Sequence, residues 1–129
     1  MKIKMLLSGI VLSISSFFTV QAQMRLKVNS QEVSAMLNKD KELIVLDARS
    51  ANEFKQGHIK GAINIDILQK EAFSKIDKLN REDKYIVYCH TYRRSGMTVD
   101  HMAKSGFKTV YQMIDGFAGW TANMLTVQK

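Results

Sequence analysis

Two kinds of apolar pattern alternate along this chain. Leu43-Ile44-Val45-Leu46 and Tyr85-Ile86-Val87-Tyr88 are unbroken apolar runs, the pattern of strands covered on both faces in a parallel sheet. Arg25–Val28, Gly61–Ile65 and Lys108–Gln112 read as further strands. Between them apolar residues recur at helical spacing: Val33, Met36 and Leu37; Phe73, Ile76 and Leu79; Val99, Met102 and Ala103. Polar punctuation fits the same division. Asn29 or Ser30 can cap the first helix, Asn38–Glu42 is a polar turn, and Ser50 with Glu53 forms a capping box for a short helix ending near Gly57. Ser95 is the expected cap of the helix carrying Val99, with Gly106 at its C-terminal stop. Asp115 is the expected cap of a last helix over Gly116–Leu125. Strands and helices alternate from end to end. That order predicts an α/β fold, a parallel sheet of about five strands with helices on both faces.

The N-terminal segment stands apart from this pattern. Lys2 and Lys4 precede an uncharged stretch from Met5 to Gln23, apolar over Met5–Leu7 and Ile10–Val20, that closes on Val20-Gln21-Ala22. A basic start, an apolar middle and a small residue at the end are the marks of a secretory signal peptide, with cleavage expected after Ala22. Residues 1–22 are assigned to that signal and 23–129 to a single domain. The expected location is periplasmic or secreted. Serines dilute the apolar stretch, which argues against a retained anchor and against stable membrane association once the signal is cut.

Composition narrows the function classes. With 129 residues, 46% hydrophobic and 24% charged, the chain has globular proportions and can bury a core without disulfides or metal. A single cysteine excludes an intrachain disulfide and any multi-cysteine metal cage. The net charge of +7 has only Arg93-Arg94 as a notable basic pair. In an exported chain that charge suits small anions better than nucleic acid. His58 and His101 lack ligand-like spacing with each other or with Cys89, so no metal is expected. His58 is expected to support a turn. Trp120 is expected to pack the last helix, and Met24, Met36, Met97, Met102, Met113 and Met124 to fill the core.

The lone cysteine is the informative residue. Cys89 follows a buried strand directly, so it falls at the carboxyl edge of the sheet, where open α/β folds bind ligands. The segment continues His90-Thr91-Tyr92-Arg93-Arg94-Ser95-Gly96 into a helix. A loop between a strand and a helix N-terminus can turn its amides toward one point, and the helix dipole favours negative charge there. A cysteine at such a point is favoured as the thiolate, the nucleophilic form. Arg93, Arg94 and His90 add positive charge. The bland alternative is an inert, buried cysteine. The polar and basic residues that follow it, and its being an unpaired thiol in an exported chain, favour the nucleophile. Asp47 and Arg49 end a neighbouring strand and either reach the site or form a pair that holds the loops together.

At these residues the sequence resembles the rhodanese-like domain family, in its single-domain exported form. The resemblance runs from about Ser30 to Leu125. Leu46-Asp47-Ala48-Arg49 is similar to the family's Asp-x-Arg strand end. Glu53-Phe54 and Gly57-His58-Ile59-Lys60-Gly61-Ala62-Ile63-Asn64 resemble its next stretch. Tyr88-Cys89 with Arg94-Ser95 resembles its active-site loop. Gly106-Phe107 and Gly116 to Gly119-Trp120 resemble its C-terminal pattern. The resemblance implies a three-layer sandwich and a sulfurtransferase. Cys89 would take sulfur from a small donor anion such as thiosulfate as a persulfide, and cyanide, a thiol or a protein acceptor would remove it. The amides of His90, Thr91, Tyr92, Arg93 and Arg94 would hold the anionic persulfide, Arg93 and Arg94 would orient the donor, and no cofactor is implied.

Two departures from the family pattern stand out. Tyr92 occupies a position usually glycine, which raises the alternative of an anion-binding or sulfur-carrier module without turnover. Lys60 replaces a frequent proline. Related phosphatases and arsenate reductases use a loop one residue longer, with arginine where this chain has Ser95, so that chemistry is disfavoured.

Overall fold

The computed structural model of the chain describes residues 24–129 together with Gly9. The expected signal peptide, apart from Gly9, lies outside the described residues. Five strands form one sheet: β1 (Met24–Val28), β2 (Ile44–Asp47), β4 (Ile63–Asn64), β5 (Lys84–Tyr88) and β6 (Thr109–Met113). Their order is β1-β6-β5-β2-β4 and every pairing is parallel. The expected sheet of about five parallel strands is therefore the one observed. Among the described residues no helix is long and apolar enough to cross a membrane.

Both faces of the sheet are covered, which is why its central strands read as unbroken apolar runs. Successive side chains of a strand point to opposite faces. Leu46, Tyr85 and Val87 face α3 (Ala72–Asp77) and α4 (Arg93–Lys104), packing with Ile76, Val99 and Met102. Val45, Ile86 and Tyr88 face α1 (Ser30–Lys39) and α5 (Gly116–Ala122), packing with Val33 and Trp120. The result is three layers, helix on sheet on helix.

The local signals resolve as follows. Asn29, not Ser30, caps α1, accepting from the Glu32 amide at 2.9 Å. The Ser50–Glu53 capping box is present at the start of α2 (Ala51–Gln56). Gly106 takes φ 86° behind α4, where the stop was expected. Ser95 is not a cap. Helix α4 begins two residues earlier, at Arg93, and the Ser95 hydroxyl bonds back to the Tyr92 carbonyl from within the first turn. Asp115 does sit at the cap position of α5, but its carboxylate accepts instead from the amide and hydroxyl of Ser30, at 2.9 and 2.6 Å. It ties α5 to α1.

The last helix ends at Ala122, short of the expected Leu125. The chain then forms β7 (Val127–Gln128), antiparallel to β3 (His58–Ile59). Only part of the methionine set fills the core. Met102 and Met113 are fully buried and Met36 packs at the core's margin, but Met97 and Met124 are exposed. The Met24 side chain is outside the described residues. His58 is buried against the end of α2, stacked on Phe54 and bonded to its carbonyl at 2.8 Å.

Candidate functional site

Strand β5 is the middle strand of the sheet, and Cys89 follows it at the carboxyl edge. The alternation that faces Tyr85 and Val87 toward α3 and α4 carries Cys89 to the same side. It packs in the cluster with Leu46, Ala48, Ile67 and Val99 and is only 1% exposed. The thiol is thus deeper than an open sheet margin would place it. The residues after it surface at once. His90, Thr91, Tyr92 and Arg93 are exposed, Arg94 is half-buried and Ser95 is buried.

The backbone of this loop has a definite polarity. The Cys89 carbonyl accepts from the Phe117 amide at 2.8 Å and the His90 carbonyl from the Ala118 amide at 2.9 Å. In a trans peptide the following N–H points opposite its carbonyl. The amides of His90 and Thr91 are therefore turned away from α5. The Tyr92 carbonyl is held by the Gly96 amide, the Ser95 hydroxyl and the Gln112 side-chain amide, which turns the Arg93 N–H away in the same manner. Among the described residues, no hydrogen-bond acceptor takes the amides of His90 through Ser95. These donors lie at the N-terminus of a 12-residue helix, where the helix dipole favours negative charge. Tyr92 adopts φ −140°, outside the left-handed region, so replacing the family's glycine introduces no left-handed strain. Tyr92 is 65% exposed.

The two loop arginines differ. Arg93 is exposed. Arg94 is bound through both terminal nitrogens to the Glu53 carboxylate, at 2.7 and 3.1 Å. Those bonds hold the Glu53 carboxyl at about 2, well below its ordinary 4.5, against the opposing effect of burial. In return Glu53 raises the Arg94 pKa, and negative charge on Cys89 and Asp66 adds to that effect. A carboxylate thus fixes the direction of the Arg94 guanidinium. Glu53 does two jobs with one oxygen: Oε1 accepts from the Ser50 amide in the capping box and from Arg94.

Beside the loop lies a buried polar network. Arg49 binds Asp47 through Nε and Nη2 and also donates to the Gly57 carbonyl at 2.7 Å. The Tyr88 hydroxyl donates to Asp47 at 2.6 Å and accepts from the Ile59 amide at 3.1 Å. Asn64 donates to the carbonyls of Asp47 and Arg49. Asp47 is fully buried and Arg49 is 3% exposed. Burial and the Asp47 charge both push the Tyr88 hydroxyl pKa far upward. Asp47 and Arg49 form a buried ion pair that reaches the Gly57 carbonyl. No buried side-chain polar atom among the described residues lacks a partner.

Three contributors to this region, Glu53, Tyr88 and Asn64, enter the sequence reading only within motifs or as cap and strand positions, with no role at the site. Glu53 has a complete explanation as a capping residue, and Tyr88 reads as one more apolar position in its run. Among the described residues no group of three or more His, Cys, Asp or Glu is arranged to hold a metal ion.

Comparison with known proteins agrees with this geometry. The model of the rhodanese-like domain matches residues 29–123. A Bacillus subtilis protein named as a sulfur carrier, YrkF, is 30% identical over 95 residues, covering 74% of this chain but half of that protein. The thiosulfate sulfurtransferase GlpE of Coxiella burnetii is 29% identical over 87 residues, covering 67% of this chain and 79% of that one. The crystal structure of a rhodanese-related protein from Thermoplasma volcanium superposes with a TM-score of 0.71 at 27% identity, covering 80% of this chain and 97% of that one. With a five-stranded parallel sheet between two helical layers and a cysteine loop at its carboxyl edge, the chain belongs to the rhodanese-like domain family.

Proposed function

We propose that the chain is an exported sulfurtransferase that carries sulfur on Cys89. The observation that carries this reading is the polarity of the loop. The carbonyls of Cys89, His90 and Tyr92 are bonded within the protein, and the amides of His90 through Ser95 meet no acceptor among the described residues. The Cys89 thiolate attacks the outer sulfur of a donor such as thiosulfate. A sulfur–sulfur bond forms at Cys89, the donor's own sulfur–sulfur bond breaks, and sulfite leaves with the electron pair. The anionic persulfide rests against the loop amides and the dipole of α4. Arg93 and Arg94 supply positive charge for the donor, with Arg94 held by Glu53. A second nucleophile, cyanide or a thiol of a small molecule or protein, then takes the outer sulfur and returns the thiolate. These steps need no cofactor.

Cys89 is 1% exposed, so the donor presents only its terminal sulfur to it while its charged end stays at the loop. That burial also supports a second reading, a sulfur carrier that is loaded once and unloaded by one protein partner. A donor and acceptor screen separates the two. Thiosulfate with cyanide should give many equivalents of thiocyanate per protein, and Cys89→Ser should give none. Loading without turnover across small acceptors would favour the carrier. Failure to load from any donor would reject both. Export is part of the proposal and rests on the N-terminal pattern. Mass analysis of the secreted or periplasmic chain should find it beginning at Gln23, and recovery of the full-length chain would count against export.

A further inference from the structure

We propose that Gly116 is a positioning residue for the cysteine loop: it lets the first turn of α5 seat against the carbonyls of His90 and Thr91, so the loop amides face away. The inference extends the sulfurtransferase reading, because the anion it serves is the donor of that reading. Three observations carry it. The amides of Phe117 and Ala118 belong to a helix's first turn, where amides have no intrahelical acceptor. Here they donate to the carbonyls of Cys89 and His90. Gly116 itself has φ 63°, and a β-carbon there would lie 2.3 Å from the carbonyl oxygens of both His90 and Thr91. Both contacts are with backbone, so no side chain can swing aside to make room. Finally, the Phe117 ring lies 4.1 Å from the Arg49 guanidinium, which is bonded to Asp47 and Gly57. The turn is thereby fastened to the buried network while it holds the loop.

Any side chain at position 116 must displace either the loop or α5. The loop is the exposed partner and yields first. Its amides then lose the arrangement that receives an anion. Contact with the loop acts beside the backbone strain that a side chain meets at this φ, and two substitutions separate these causes. Asparagine tolerates the left-handed conformation far better than alanine, but it brings the same β-carbon.

The test is thiosulfate binding, measured by calorimetry in a Cys89→Ser background so that no transfer occurs. Gly116→Ala and Gly116→Asn should both weaken binding by about 10- to 100-fold, the scale of a misplaced site, with far-UV circular dichroism unchanged. Affinity restored by Asn alone, or retained by both variants, would overturn the proposal. Hydrogen exchange on the unsubstituted chain gives a second readout that needs neither variant nor ligand. Phe117 and Ala118 amides should be protected like interior amides, and exchange at the rate of open amides would overturn it. Protected amides in a chain that transfers no sulfur would refute the sulfurtransferase reading and leave this one standing. Full turnover with both variants at wild-type donor affinity would do the reverse.

Discussion

Strands β2 and β5 are neighbours in register, yet they end in opposite ways. After β2 the chain runs through Ala48 and Arg49, and the polar groups there are satisfied: Asp47 takes Arg49 and Tyr88, Arg49 takes Gly57, and Asn64 closes the carbonyls. After β5 the chain runs through Cys89 into a loop in which the carbonyls of Cys89, His90 and Tyr92 are bonded and the amides of His90 through Ser95 meet no acceptor among the described residues. One strand end is finished within the protein. The other leaves its loop amides open. A buried, satisfied network resists rearrangement because losing one member strands the rest. An exposed row of amides at a helix N-terminus costs little to leave open to water and binds an anion when one arrives. The rigid end supports the open one through Phe117, whose ring meets Arg49 and whose amide meets Cys89.

Breaking the finished end should have the largest effect on stability. Asp47→Ala leaves the Arg49 cation buried without its carboxylate and should cost about 3–5 kcal/mol in urea unfolding. Tyr88→Phe removes one hydroxyl that both donates to Asp47 and accepts from Ile59, and should cost about 1–3 kcal/mol in the same measurement.

Glu53→Gln loosens the bridge between the two ends by releasing Arg94. The folded Glu53 carboxyl titrates at about 2 against an ordinary 4.5, so its ionised form is favoured by folding. That contribution is complete above pH 4.5 and is lost as pH falls toward 2. Thermal unfolding across this range should show wild type and Glu53→Gln differing at neutral pH and converging in acid. A gap that persists unchanged down to pH 2 would contradict the assignment.

Tyr92→Gly touches only the open end. Tyr92 is exposed, and glycine is well accepted at a helix N-cap, so stability should move by less than about 0.5 kcal/mol. The relative rates with small and bulky sulfur donors should change, as measured by steady-state kinetics on a donor series.

Much of this contrast was legible in the residues. The unbroken runs at Leu43–Leu46 and Tyr85–Tyr88 announced the two central strands, because burial on both faces removes the polar alternation. Ser50 and Glu53 announced a helix start because their reciprocal bonds are local. What depended on distant partners was not legible. The pairing of β3 with β7 joins two-residue segments far apart in the chain and leaves no pattern in either. The bond from Glu53 to Arg94 crosses between helices and is hidden by the capping role Glu53 already fills. Asp115 looked like a local cap, yet its carboxylate reaches Ser30 on another helix. The depth of Cys89 was available in principle. Tyr85, Val87 and Cys89 share one parity, so continuing the strand's alternation by one step places the thiol on an inner face.

The central claim is that Cys89 accepts a sulfur atom in this setting, and the intact mass of the protein tests it most directly. After incubation with thiosulfate and removal of excess donor, the chain should gain one sulfur, about 32 Da, lost again on treatment with cyanide or dithiothreitol. Cys89→Ser should gain nothing. An unchanged mass with thiosulfate and with every other sulfane donor, or an equal gain in Cys89→Ser, would contradict the account.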